Sequence, residues 1–252
     1  MTAQPNDDVK LAVQLARTAG DLLLAVRRDA LIEGRTLGDA GDAIAHQYLV
    51  RALAAQRPDD AVLSEEGKAD PARLDKSRVW IVDPLDGTRE YSENRSDWAV
   101  HVALTVDGVP AAGAVALPGL GLTLSSDSAG GAMGAVGKPI RMVVSRTRPA
   151  PQALQVAERL GAELVPMGSA GAKAMAVVRG EADIYLHAGG QYEWDSCAPV
   201  AVAQAAGLHV SRIDGSACRY NNADPYMPDL LVCRPELAAQ VLAALATCAE
   251  PA

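Results

Sequence analysis

Trp80-Ile81-Val82-Asp83-Pro84-Leu85-Asp86-Gly87-Thr88-Arg89-Glu90 sets two aspartates three residues apart directly behind an apolar run. Trp80-Ile81-Val82 reads as a buried strand, expected to stop at Asp83-Pro84 because proline donates nothing to a ladder. Leu85 to Thr88 then read as a polar turn. Asp83 and Asp86 meet at the strand end with the Leu85 carbonyl between them, a set of hard oxygens suited to Mg²⁺. Backbone N–H groups after Asp86 are placed to hold an anion, the more so if a helix starts there. Metal ligands and a phosphate cradle in one turn point to metal-assisted phosphate chemistry. Taken alone, the pair also fits an ordinary Asx-type turn.

The rest of the chain bounds what that turn can belong to. Its 252 residues make one large domain or two intimate halves, and 49% apolar residues suffice for a real core. Phenylalanine is absent, so the core has to come mostly from Ala, Val and Leu. A net charge of −8 argues against nucleic-acid binding through a broad basic surface. An acidic protein that handles phosphate needs local cations, which bound metal supplies. No apolar run reaches the roughly 18 residues of a membrane span, and Met1 to Asp8 lack the pattern of a signal peptide, so a cytoplasmic enzyme is expected. Cys197, Cys218, Cys233 and Cys248 form no C-x-x-C pair and read as reduced thiols, Cys197 as a small buried residue rather than a redox centre.

Apolar spacing predicts a helix over 8–30 and a second from Asp42 to Gln56. Between them Glu33 to Gly41, with Gly34, Gly38 and Gly41, reads as a mobile loop. Ala61-Val62-Leu63 reads as a strand delivering Glu65 and Glu66. Ala99 to Leu124 reads as a hairpin or meander turning at Asp107-Gly108 and Pro118-Gly119. The Gly-, Ser- and Ala-rich stretch 126–139 marks the expected internal boundary, giving an α+β half at 1–139 and an α/β half at 140–252. In the second half, strands at 141–145, 163–166 and 183–187 and near Leu208 and Leu230 alternate with helices at 152–160, 170–179 and 196–206 and after Pro235.

Three motifs in order carry a family resemblance. Asp83-Pro84-Leu85-Asp86-Gly87-Thr88 matches the D-P-[IL]-D-G-[TS] signature of the inositol monophosphatase-like, lithium-sensitive phosphatases. Leu63-Ser64-Glu65-Glu66-Gly67 resembles their paired-glutamate motif, and Glu193-Trp194-Asp195-Ser196-Cys197-Ala198 their W-D-x-A-A motif. The resemblance covers nearly the whole chain. It implies a layered αβαβα sandwich with the site between its halves, two or three Mg²⁺ ions, lithium inhibition and a homodimer. It makes Glu65, Asp83, Asp86, Asp195 and the Leu85 carbonyl the metal ligands, with Asp83 bridging two ions. It gives Glu65 and Thr88 the task of orienting the attacking water. Gly87 then lets backbone approach the phosphate. Asp42 matches the aspartate that pairs with the threonine, but Gly38-Asp39-Ala40-Gly41-Asp42 departs from the usual V-T-x-A-D, so a plain helix N-cap is the other reading. Asp195 is read both as an N-cap and as a ligand, and Glu65-Glu66 alone also fits a solvated charge pair.

Gly87-Thr88-Arg89-Glu90-Tyr91 and Val143-Val144-Ser145-Arg146-Thr147 resemble the 3′(2′),5′-bisphosphate nucleotidase branch, as does Gly168-Ser169 before Lys173. That implies removal of the 3′-phosphate of adenosine 3′,5′-bisphosphate, or of its 5′-phosphosulfate analogue. Arg89, Arg146, Ser169 and Lys173 would meet the substrate there, the cations gripping its second phosphate. The same three cations also read as surface charges. Activity on inositol 1-phosphate or fructose 1,6-bisphosphate is the alternative, and a silent phosphate-binding protein a second one.

Overall fold

The computed structural model describes residues 5–28, 31–68, 70–128 and 135–248. Two helices come first, α1 (Pro5–Arg28) and α2 (Gly34–Gln56). A five-stranded sheet follows in the order β1 (Ala61–Ser64), β2 (Arg78–Asp86), β3 (Ala99–Val106), β4 (Val109–Leu117) and β5 (Leu122–Ser125), with α3 (Thr88–Ser92) between β2 and β3. β1 and β2 are parallel and every later pairing is antiparallel. The remainder alternates: β6 (Arg141–Ser145), α4 (Pro151–Leu160), β7 (Glu163–Met167), α5 (Ala170–Val178), β8 (Ile184–Tyr192), α6 (Glu193–Ala205), β9 (His209–Ser211), β10 (Tyr226–Cys233) and α7 (Pro235–Leu245). Its strands form a second sheet in the order β7-β6-β8-β10-β9.

Burial fixes the layering. α1 presents Val9, Ala12, Ala16, Ala19 and Leu23 along one stripe, and with α2 it covers one face of the first sheet through Trp80, Val82, Val100, Val102 and Leu104. The alternate residues Val79, Ile81, Ala99 and Ala103 face the opposite way. There α5 and α6, rich in alanine and buried nearly all round, lie between the two sheets. α4 and α7 close the outer face of the second sheet over Met142, Val144, Ile184 and Leu231. The order is αβαβα, as the resemblance implies. A sheet covered on both faces explains why β2 and β3 read as continuous apolar runs rather than alternating ones.

Three expectations are corrected. β2 does not stop at Asp83-Pro84 but runs to Asp86. Its register against β3 shifts between Asp83↔His101 and Asp86↔Ala99, so one extra residue bulges out. Pro84 sits in that bulge, where the strand does not need its missing N–H. The segment expected as a loop at 33–41 is helical from Gly34 onward. Its glycines serve contact rather than mobility: a Cβ on Gly38 would fall 2.7 Å from Thr88 Cγ2, and one on Gly41 3.1 Å from both Leu85 Cδ2 and Tyr91 Cε1. The helix expected at 196–206 starts at Glu193, so Asp195 lies inside its first turn and is not the N-cap. The stretch 126–139 lies partly outside the described residues.

Candidate active site

The bulge at the end of β2 turns Asp83 and Asp86 toward the same side. Asp83 is buried, and its Oδ1 accepts the Leu85 N–H at 3.0 Å, so the Asx-type turn is formed as well. Asp195, on the first turn of α6, reaches back so that its Oδ2 accepts the Tyr192 N–H at 2.6 Å. Asp83, Asp86 and Asp195 each offer an oxygen within 4.8 Å of the others. Glu65, just past β1, lies close enough to Asp83, Asp195 and Asp86 to interact with their carboxylates.

Burial and mutual repulsion set the proton affinities of most of these groups. Burial, then the Glu65, Asp86 and Asp195 charges, hold Asp83 well above the usual carboxylate range. Desolvation and then Asp195 push Glu65 up to about 8, against the lowering effect of its interaction with Asp83. Asp195 rises to about 6 through burial and the Asp86 charge. Carboxylates that resist ionisation together, with hard oxygens converging, are a donor set that fits a divalent cation such as Mg²⁺.

Asp86 behaves in the opposite way. Burial alone would raise it, but His101, Ser169 and Lys173 overcome burial and bring it down to about 2. The Ser169 hydroxyl and the Gly171 N–H (2.7 Å) donate to its Oδ2, and the Ala170 N–H (3.1 Å) to its Oδ1. These donors are the N-terminus of α5, where a carboxylate is favoured.

Beside the carboxylates stands Thr88. Its hydroxyl lies 3.1 Å from the Leu85 carbonyl and 3.3 Å from Asp42 Oδ2. Asp42 is on α2, eight residues beyond its start, so it is no N-cap; its other oxygen is buried without a partner. Burial and then the Glu66 charge push Asp42 up to about 7, with Thr88 opposing. Gly87 takes φ +90°, a left-handed conformation that opens α3 and favours glycine.

The residues expected at a second phosphate are already engaged. Lys173 is buried, and its Nζ donates to the carbonyls of Gly168 (3.2 Å) and Ser169 (2.5 Å). Arg146 bridges Glu90 (2.9 Å) and Glu93 (2.8 Å), and exposed Arg89 pairs with Glu93 at 3.0 Å. Ser169 caps α5. Sequence reasoning passed over His101, which is fully buried with Nε2 3.1 Å from Asp86 Oδ2. Its signal was a lone polar ring inside the apolar run Ala99 to Leu104. Cys197 is buried and unpaired, and burial pushes its thiol up, which suits packing rather than redox work. Among the described residues no helix is long and apolar enough to cross a membrane.

Comparison with known proteins agrees with this geometry. The family model described as the inositol monophosphatase family matches residues 5–250. A 3′-phosphoadenosine 5′-phosphate phosphatase from Mycobacterium leprae is 51% identical over 245 residues, covering 92% of this chain and 90% of that protein. The 3′(2′),5′-bisphosphate nucleotidase CysQ of Salmonella typhimurium is 30% identical over 231 residues, covering 85% of this chain and 94% of its own length. The crystal structure of CysQ from Bacteroides thetaiotaomicron, a bacterial member of the same family, superposes with a TM-score of 0.76 at 25% identity, over 90% of this chain and 97% of that one. With the motifs, the layered fold and the carboxylate cluster all in agreement, the chain belongs to the inositol monophosphatase family.

Proposed function

We propose that this chain is a Mg²⁺-dependent phosphatase that removes the 3′-phosphate of adenosine 3′,5′-bisphosphate to give AMP. The observation that carries the chemistry is the convergence of Asp83, Asp86 and Asp195 beside the Asp42–Thr88 pair. The likeness to the Mycobacterium leprae phosphatase supports the choice of ester. Glu65, Asp83, Asp86, Asp195 and the Leu85 carbonyl would hold two or three Mg²⁺ ions. When bound, Mg²⁺ supplies charge neutralisation at the phosphoryl oxygens and a lowered pKa for the attacking water.

The residues themselves orient the reaction. A threonine hydroxyl has one proton and two lone pairs. With that proton given to Asp42 or Leu85, Thr88 keeps a lone pair to accept from the water, which aims the water's own lone pair at phosphorus. Glu65 takes the water's other proton as hydrogen-bond acceptor. The amides of Gly87 and Thr88, at the first turn of α3, have no helical acceptor and hold a phosphoryl oxygen. Catalysis is then mostly positioning and charge stabilisation, with no covalent phosphoenzyme.

One observation favours a second reading, the monophosphate inositol 1-phosphate as substrate: Arg146 and Lys173 are committed to internal partners rather than to a second phosphate. Phosphate release from adenosine 3′,5′-bisphosphate, inositol 1-phosphate and fructose 1,6-bisphosphate, with Mg²⁺ and with added Li⁺, separates the readings. Strong preference for the nucleotide in kcat/KM supports the first, and preference for a sugar phosphate replaces it. No turnover of any ester refutes both.

A further inference from the structure

We infer that Tyr192 and Tyr226 form an aromatic ledge that takes the flat base of the nucleotide substrate and so sets which phosphate ester this site prefers. The inference rests on the reading of the substrate as a nucleotide.

The layering says on which side the base lies. Asp42 and Thr88 belong to α2 and α3, which pack on the outer face of the first sheet. Asp195 comes from α6, on the inner face of that sheet. With the attacking water held by Thr88, direct displacement at phosphorus expels the leaving oxygen away from it, toward Asp195. The nucleoside attached to that oxygen then lies beyond Asp195, over the junction of β8 and α6.

That junction carries the exposed rings. Among the described residues, Tyr192 and Tyr226 are the only exposed aromatic side chains, at 45% and 47%. The Tyr192 N–H donates to Asp195 Oδ2 at 2.6 Å, which anchors this residue directly beside the carboxylates. Tyr226 is its partner across β8 and β10, and the two rings meet edge-on with centroids 6.1 Å apart and planes at 83°. Tyr192 is also stacked on Trp194, at 4.8 Å with planes 9° apart, and Trp194 packs on the core between the sheets.

The ledge is held by its frame. The Glu193 N–H donates to the Pro225 carbonyl at 2.8 Å and locks the start of α6 to the start of β10. Gly190 leaves room for Tyr226, since a Cβ there would fall 2.6 Å from the Tyr226 hydroxyl. Tyrosines fixed in this way offer π surface at little entropic cost. A purine stacks on such a surface, and an inositol or sugar ring has no flat face to do so. Stacking one base on an aromatic side chain is worth about 5–100-fold in affinity and needs no cation. Nucleotide preference is thus compatible with the internal engagement of Arg146 and Lys173.

The test compares adenosine 3′,5′-bisphosphate with ribose 3,5-bisphosphate, which lacks only the base, in the parent, Tyr192→Leu, Tyr226→Leu and Tyr192→Phe. The readout is the ratio of kcat/KM for the two esters, which does not depend on how much of a variant folds. The parent is expected to prefer the nucleotide. Each leucine variant should lower that ratio by about 5–100-fold, through a raised KM for the nucleotide, while Tyr192→Phe retains it. An unchanged ratio in both leucine variants overturns the inference. So does an equal loss on both esters accompanied by a changed sedimentation coefficient, which would assign the rings to an interface between copies of the chain. A parent that turns over inositol 1-phosphate but not the nucleotide overturns the proposed substrate itself, a result distinguishable from the other two.

Discussion

Asp83 and Asp86 stand three residues apart, yet their surroundings treat them oppositely. Asp86 lies on a helix N-terminus beside an imidazole and stays ionised; the charged groups acting on Asp83 are other carboxylates. Replacing Asp83 with asparagine should therefore do two things. Turnover should fall about 10²- to 10³-fold, the scale for losing one group that stabilises transition-state charge. The metal-free protein should melt higher than the parent at pH 8, because one mutually repelling carboxylate is gone; calorimetry without Mg²⁺ checks this. Lys173 offers a second test. Its ammonium satisfies two carbonyls in the turn that holds Asp86, so Lys173→Met should cost about 1–3 kcal/mol of stability through the unpaired carbonyls. A cation reserved for substrate would show a raised KM with unchanged stability instead. The aspartates stood out in the sequence because three motifs occur in order, 63–67, 83–88 and 193–198; D-x-x-D alone also fits an ordinary turn. The partners of Lys173 and Arg146 were not, because spacing cannot say which carbonyl or carboxylate a long cationic side chain will reach.

At the level of elements, the contact between α2 and α3 decides where Thr88 sits. Glycines at 38 and 41 let the two helices approach until Gly38 is against the Thr88 methyl. Gly→Ala inside a helix usually stabilises by about 1 kcal/mol. Here Gly38→Ala should instead displace Thr88 and lower kcat by about 10–100-fold, as a shift of order 1 Å at a positioning group does, with KM little changed. Steady-state kinetics beside a melting curve tests the split. The same glycines misled the reading of this segment as a loop: in sequence a helix breaker and a close-packing residue look alike, and only the partner surface tells them apart. The end of β2 failed for a related reason. Proline forbids a ladder hydrogen bond, but a bulge removes the need for one, and bulges leave no local sequence mark here. The βα alternation after residue 140 was legible because its apolar periods and Gly or Pro stops are local.

Across the whole molecule, a cluster of buried, mutually repelling carboxylates makes stability depend on pH. Asp42, Glu65, Asp83 and Asp195 all have folded-state pKa values above their unfolded ones, Asp195 at about 6, Asp42 at about 7 and Glu65 at about 8. The folded protein then binds more protons than the unfolded chain between roughly pH 4 and pH 8, so metal-free stability falls as pH rises through that window. Asp86 runs the other way, contributing stability above the unfolded value that is lost as pH falls toward about 2. Added Mg²⁺ should flatten the decline at pH 7–8, because binding to the folded state alone stabilises it by mass action. Melting temperature between pH 5 and pH 8.5, with and without Mg²⁺, gives the result; parallel curves would refute it.

Trp194 carries one more consequence. Of the three tryptophans, Trp80 and Trp98 are wholly enclosed, while Trp194 is partly exposed, stacked on Tyr192 at 4.8 Å and adjacent in the chain to Asp195. Two emitters are thus shielded from solvent, and the third stands at the edge of the carboxylate cluster. The protein carries its own optical gauge of site occupancy: intrinsic fluorescence followed while Mg²⁺ is added, without any attached dye.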